Sequence, residues 1–108
     1  MTFYLIAHVK VTDNKWVPGY AAAVYGLLHK HGGKYLARSA NVTTLEGPPS
    51  DSTFIAILEF PSLDAVKAFA NDPAYAPFGK SRQRGSESRL YLIDDTDSAR
   101  TIPYLPKG

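Results

Sequence analysis

The sequence predicts an α+β fold in which two amphipathic helices cover one face of a four-stranded sheet. Three observations carry that expectation. Side chains split into two faces at every second position in four stretches; apolar residues recur at three- and four-residue steps in two others; and the stretches follow in the order strand, helix, strand, strand, helix, strand. At 108 residues the chain has the length of one domain. A domain of this size buries roughly 65% of its unfolded surface, enough for a single modest core.

The first strand, Phe3 to Thr12, places Phe3, Leu5, Ala7, Val9 and Val11 on one wholly apolar face. Tyr4, Ile6, His8, Lys10 and Thr12 make the other, which grades toward polar. Thr12-Asp13-Asn14 is a turn and helix-start signal. A helix from about Trp16 to His31 follows, with Trp16, Tyr20, Val24, Leu27, Leu28 and His31 on one stripe. Pro18 is tolerated in its first turn, and Gly32-Gly33 ends it. The second strand runs from Lys34 to Val42, with Tyr35, Ala37, Ser39 and Asn41 on one face and Leu36, Arg38, Ala40 and Val42 on the other. A loop rich in turn formers, Thr43 to Ser52, leads to the third strand, Thr53 to Phe60. There Phe54, Ala56, Leu58 and Phe60 oppose Ile55, Ile57 and Glu59.

Pro61 stops that strand, Ser62 is a good N-cap, and Asp64 suits the positive end of the helix dipole. Leu63, Val66, Phe69 and Ala70 form the buried stripe of the second helix, which Asn71-Asp72-Pro73 ends. Ala74 to Arg84 reads as a short helix or turn, and Arg89 to Asp94 as the fourth strand. This order is the split βαβ of a ferredoxin-like domain, βαββαβ, over residues 1–96, with 97–108 as an extended Pro-containing tail. The first and third strands are expected to be central, and parallel to each other. Their all-apolar rows then face the helices, and His8 and Glu59 fall together on the other face with Tyr4, Ile6, Ile55 and Ile57. That face is too apolar to leave in water, so a homodimer packed sheet to sheet is expected.

The formal charge of +2, from 12 basic and 10 acidic residues, is too balanced for a nucleic-acid or membrane surface. The densest basic cluster, Lys80, Arg82, Arg84 and Arg89, reads as a solvated face. With no cysteine there is no disulfide, thiolate nucleophile or cysteine metal site. No stretch has the roughly 20 apolar residues of a membrane span, and MTFYLIAHVK carries no basic leader, so the expected location is cytoplasmic.

GGKYLAR (32–38), LEG (45–47), ILEFPS (57–62) and DPAYAPFGKSRQ (72–83) together resemble the domain of unknown function 1330 family, within the dimeric α+β barrel superfamily. The resemblance covers nearly the whole chain. It implies a ferredoxin-like monomer that dimerises through its sheets, and no securely assigned activity. Arg38, Glu46, Glu59, Tyr75 and Arg82 match polar positions of the family pattern, and Tyr20 its helical tyrosine. Asp94-Asp95 departs from the expected Glu-Gly and bears only on the tail. The superfamily includes cofactor-free monooxygenases, isomerases and dehydratases as well as heme-using members, a breadth that is fold-level analogy.

Glu59 is the expected general base, because a half-buried carboxylate has its pKa raised toward neutrality. The competing reading is an ion pair with Arg38 between adjacent strands. Arg38 is also suited to anchor a carboxylate or phosphate with its fork of donors. Glu46, in a Gly/Pro loop, is a second catalytic candidate or a capping carboxylate. Tyr75, Arg82, Tyr20 and His8 complete the expected binding set, with the two tyrosine hydroxyls at the pocket mouth. His8 is more readily a structural histidine, and His29 and His31 read as surface residues. No spacing argues for a metal, and no organic cofactor is expected. The resulting expectation is a cofactor-free isomerase, lyase or monooxygenase-like enzyme acting on a small polar or anionic metabolite. The alternatives are a non-catalytic ligand-binding or stress-associated dimer, and an interaction module using the dimer groove and the tail.

Overall fold

The computed structural model describes residues 1–96, and the expected tail at 97–108 lies outside the described residues. The elements are β1 (Phe3–Val11), a 3-10 turn (Asn14–Trp16), α1 (Val17–Lys30), β2 (Lys34–Ser39), β3 (Phe54–Phe60), α2 (Leu63–Ala70), α3 (Ala76–Arg84) and β4 (Ser86–Asp94). The sheet order is β2-β3-β1-β4. The ferredoxin-like α+β reading is therefore the fold of the chain, with one correction. β1 and β3 are antiparallel, not parallel. The α1 crossover returns β2 in the direction of β1 but one strand's width away; β3, antiparallel to β2, fills the gap and so opposes β1 as well.

Local chemistry sets the element ends. The Asp13 carboxylate accepts from the Lys15 N–H at 3.0 Å ahead of α1. At the other end Gly32 takes φ 77°, a conformation other residues adopt at a cost, and the Gly32 and Gly33 amides reach back to the His29 and Leu28 carbonyls. The Ser62 hydroxyl caps α2 by accepting from the Ala65 N–H at 3.0 Å. β4 begins at Ser86, three residues before the apolar alternation starts, because Ser86 and Ser88 pair with Val11 and Val9 through the backbone alone.

The core lies between the helices and one sheet face. Ala7, Val9, Ala56, Leu58 and Phe60 from the sheet meet Val24 and Leu28 of α1 and Phe69 of α2. The period-two reading of β1 and β3 thus places the buried rows correctly. The reading of β2 fails at two points: the strand ends at Ser39, not at Val42, and its alternation is interrupted. Tyr35 lies opposite Leu58 and Ala37 opposite Ile57, so a bulge occurs at Leu36. The extra residue reverses the alternation, and Tyr35 and Arg38 come to share the helix-facing side. Asp95 accepts from the Thr2 N–H at 3.1 Å and donates its own N–H to the Thr2 carbonyl, tying the end of β4 to the start of β1.

Candidate active site

A cavity of about 390 Å³ opens between the helix-facing side of the sheet and α1 and α3. Its floor is apolar, built from Leu5, Ala7, Val9, Ala56 and Leu58. One wall is a run of aromatic rings. Trp16 meets Tyr20 edge-on at 5.2 Å, Tyr20 meets Tyr75 at 6.1 Å, and Tyr75 packs on Phe69 at 4.6 Å. The Trp16 indole is fixed by donating from Nε1 to the Gly85 carbonyl at 2.9 Å. Such edge and tilted packings are favourable for aromatic pairs.

The polar groups around this floor are Tyr20, Tyr75, Tyr35, Ser39, Arg38 and Arg82. The Tyr20 and Tyr75 hydroxyls are hydrogen-bonded to each other at 2.8 Å. Burial raises the Tyr20 pKa well above the ordinary phenol value, the Tyr75 hydroxyl adds to the rise, and the Arg82 charge opposes it. Burial likewise raises Tyr35, against the opposing charge of Arg38, whose guanidinium lies 4.7 Å above the Tyr35 ring. Both phenols are therefore protonated at neutral pH.

Arg82 is 7% exposed, so the basic cluster is not simply a solvated face. Among the described residues its Nε has no hydrogen-bond partner, and no acidic side chain lies within ion-pair distance of Arg82 or Arg38. No aspartate, glutamate or histidine among the described residues lines the cavity.

The structure thus brings Arg38, Arg82, Tyr20 and Tyr75 around one cavity and leaves the other three candidates elsewhere. Glu59 is on the outer sheet face, bonded to Lys34 at 3.2 Å. The Arg38–Glu59 pair does not form: Lys34 stands opposite Glu59, and past the bulge Arg38 stands opposite Ala56 on the other face. His8 shares the outer face with Glu59 but not its neighbourhood. Glu59 opposes Tyr4 and His8 opposes Ile55, four residues apart, about 13 Å by strand rise. His8 instead lines a second, more polar cavity of about 450 Å³ beside Lys10, Asp51, Glu87 and Arg89. Glu46 is exposed in the loop before Gly47 and lines neither cavity. Tyr35 is a site residue beyond those expected; nothing in the local sequence marks the bulge that brings Arg38 to the face Tyr35 occupies.

His31 is not a surface residue. Its Nε2 donates to Asp72 Oδ2 at 2.8 Å, Lys30 Nζ donates to the same oxygen at 3.1 Å, and the Ala74 N–H reaches Oδ1 at 2.9 Å. The Asp72 carbonyl also accepts from the Tyr75 N–H at 2.9 Å, so this 8%-exposed aspartate ties the end of α1 to the turn that presents Tyr75. The His31 hydrogen bond, then the Ala74 amide and Lys30, hold its carboxyl well below the usual carboxylate range. A depressed folded-state pKa stabilises the protein above the unfolded value and loses that contribution as pH falls through the folded one. Asp72→Asn is accordingly expected to lower the melting temperature by about 5 °C or more above pH 5. The gap should shrink as pH falls below about 4; thermal denaturation at pH 7, 4 and 2.5 checks this.

The family model described as a domain of unknown function, DUF1330, matches residues 2–96. Among solved structures, the chain is similar to a protein of unknown function from Rhodopseudomonas palustris, at 21% identity and TM-score 0.74 over 86% of this chain and 81% of that one. It is similar to SnoaB, a cofactor-independent oxygenase from Streptomyces nogalater, at 16% identity and TM-score 0.63, over 94% of this chain and 97% of that one. A dimeric ferredoxin-like protein of unknown function from Jannaschia aligns at 10% identity and TM-score 0.69, over 87% and 99% of the two chains. At these identities the likeness shows the fold. No curated protein matches the chain.

Proposed function

The chain belongs to the DUF1330 family, whose function is not known, and on that footing we propose that its cavity binds a small anion with an apolar body. The observation that carries this reading is Arg82: a buried guanidinium on an apolar cavity, with no acidic partner among the described residues. A buried charge without a counterion is costly, and an anionic ligand supplies the missing partner. The volume of about 390 Å³ is in the lower part of the usual small-molecule range, roughly 300–1,000 Å³. The apolar floor suits a ring or short hydrocarbon, and Arg38 at the more exposed side offers a second contact for a polar substituent.

Proton abstraction by Glu59 is not part of this reading, since Glu59 lies on the other face of the sheet. The contribution of the site is charge stabilisation. SnoaB, of the same fold, is an oxygenase that uses no cofactor; a comparable reaction of a bound anion is the catalytic form of the proposal, and a binding protein its non-catalytic form. The test is calorimetric titration with benzoate. Wild type and Glu59→Gln are expected to bind alike, and Arg82→Met not to bind. Equal binding by Arg82→Met overturns the reading.

The outer sheet face is proposed to meet a second copy of the chain. Tyr4, Ile6, Ile55 and Ile57 are joined there by Tyr91 and Ile93, which are 55% and 54% exposed. The dimeric protein of the same fold from Jannaschia supports this arrangement. Light scattering should give twice the chain mass, and Ile57→Glu should halve it; a monomeric wild type contradicts the proposal.

A further inference from the structure

We infer that Arg82 and the Tyr20–Tyr75 pair act together as an oxyanion-binding cluster, and that the site therefore ionises weak oxygen acids, enols and phenols, carried on an apolar framework. This deepens the anion-binding reading and rests on it. Two phenols that share one hydrogen bond use one O–H hydrogen and keep the other. Among the described residues neither hydroxyl has a further partner, so one donor remains for a ligand in the cavity that both rings line. Arg82 adds a positive charge on the same cavity. Tyr20 cannot serve as the base, because burial keeps it protonated.

A carboxylic acid is already ionised at neutral pH. An enol or phenol is not, and donors aimed at its oxygen in a water-poor cavity favour its anion. On binding, the ligand's O–H proton leaves to water; the electron pair stays on the oxygen, and no bond to carbon forms or breaks. What the protein would supply is an enolate or phenolate held in an apolar cavity, the electron-rich form that isomerisation or oxygenation of such molecules requires.

The probe is para-nitrophenol, whose colour reports its ionisation, titrated with the full chain across pH and compared with benzoate binding. With wild type, the bound probe is expected to ionise about one pH unit lower than the free probe, a tenfold preference for the anion. Tyr20→Phe/Tyr75→Phe, which keeps both rings, should lose at least half of that shift. The inference is overturned if the bound probe ionises at its free pKa or above, if the double variant keeps the full shift, or if benzoate binds and the probe does not. In that last case anion binding stands and the oxyanion cluster falls. If neither ligand binds, both fall.

Discussion

Replacing Arg82 with methionine is expected to raise the melting temperature of the unliganded protein by about 5 °C, the shift that roughly 1 kcal/mol gives in a domain this size. The same change should remove benzoate binding. The two effects have one cause. The guanidinium is buried without a carboxylate within reach among the described residues, and its Nε lacks a hydrogen-bond partner. Burying an unpaired charge destabilises the folded state. Methionine keeps an unbranched, adaptable apolar chain on the cavity wall without that cost. The backbone role of the position survives, since it is the Arg82 carbonyl that accepts from the Ser86 hydroxyl. A gain in stability at the expense of ligand affinity is the signature of a residue retained for binding. A loss of stability in Arg82→Met would instead mark a structural arginine.

Gly85→Ala is expected to lower the melting temperature by about 10 °C, from an overpacking cost of roughly 1–3 kcal/mol. A Cβ at this position would stand 2.2 Å from Trp16 Cδ1 and 2.4 Å from its Nε1. The indole has little freedom to withdraw. Its N–H is held by the Gly85 carbonyl, which also accepts from the Thr12 and Asp13 amides at 2.9 and 3.1 Å. The β1–α1 turn and the α3–β4 junction are therefore locked together through one glycine, and displacing the ring opens the aromatic wall of the cavity. Trp16 is the chain's one tryptophan, so its fluorescence reports the change directly. A red-shifted emission together with weaker benzoate binding is expected; unchanged melting and emission would show that the junction yields freely.

Much of the fold was legible because it rests on local rules. The rows Leu5-Ala7-Val9 and Ala56-Leu58-Phe60, the Ser62 cap and the Gly32 stop each follow from spacing or from one residue's geometry. The relative direction of β1 and β3 is not legible in this way, because alternation assigns faces and says nothing of direction. The site was legible only in part. Arg38, Arg82, Tyr20 and Tyr75 are polar side chains in or beside apolar patterns, and they do meet in space. Glu59 drew attention for the same reason but sits on the outer face, and its partner is Lys34. The difference lies in the bulge at Leu36: past it Arg38 stands opposite Ala56, on the helix-facing side with Tyr35, while Lys34 holds the place opposite Glu59. The Asp72 cluster was equally hidden, since His31 and Asp72 are 41 residues apart and meet only after α1 and the α2–α3 turn have docked.

The most direct measurement is a crystal structure of the protein soaked with para-bromobenzoate, the bromine located by its anomalous signal. The expected result is a carboxylate on Arg82, beside the Tyr20–Tyr75 pair, with the bromine over the apolar floor toward Arg38. A ligand found only on the outer sheet face, or in the cavity beside His8 and Arg89, would contradict the assignment of the site.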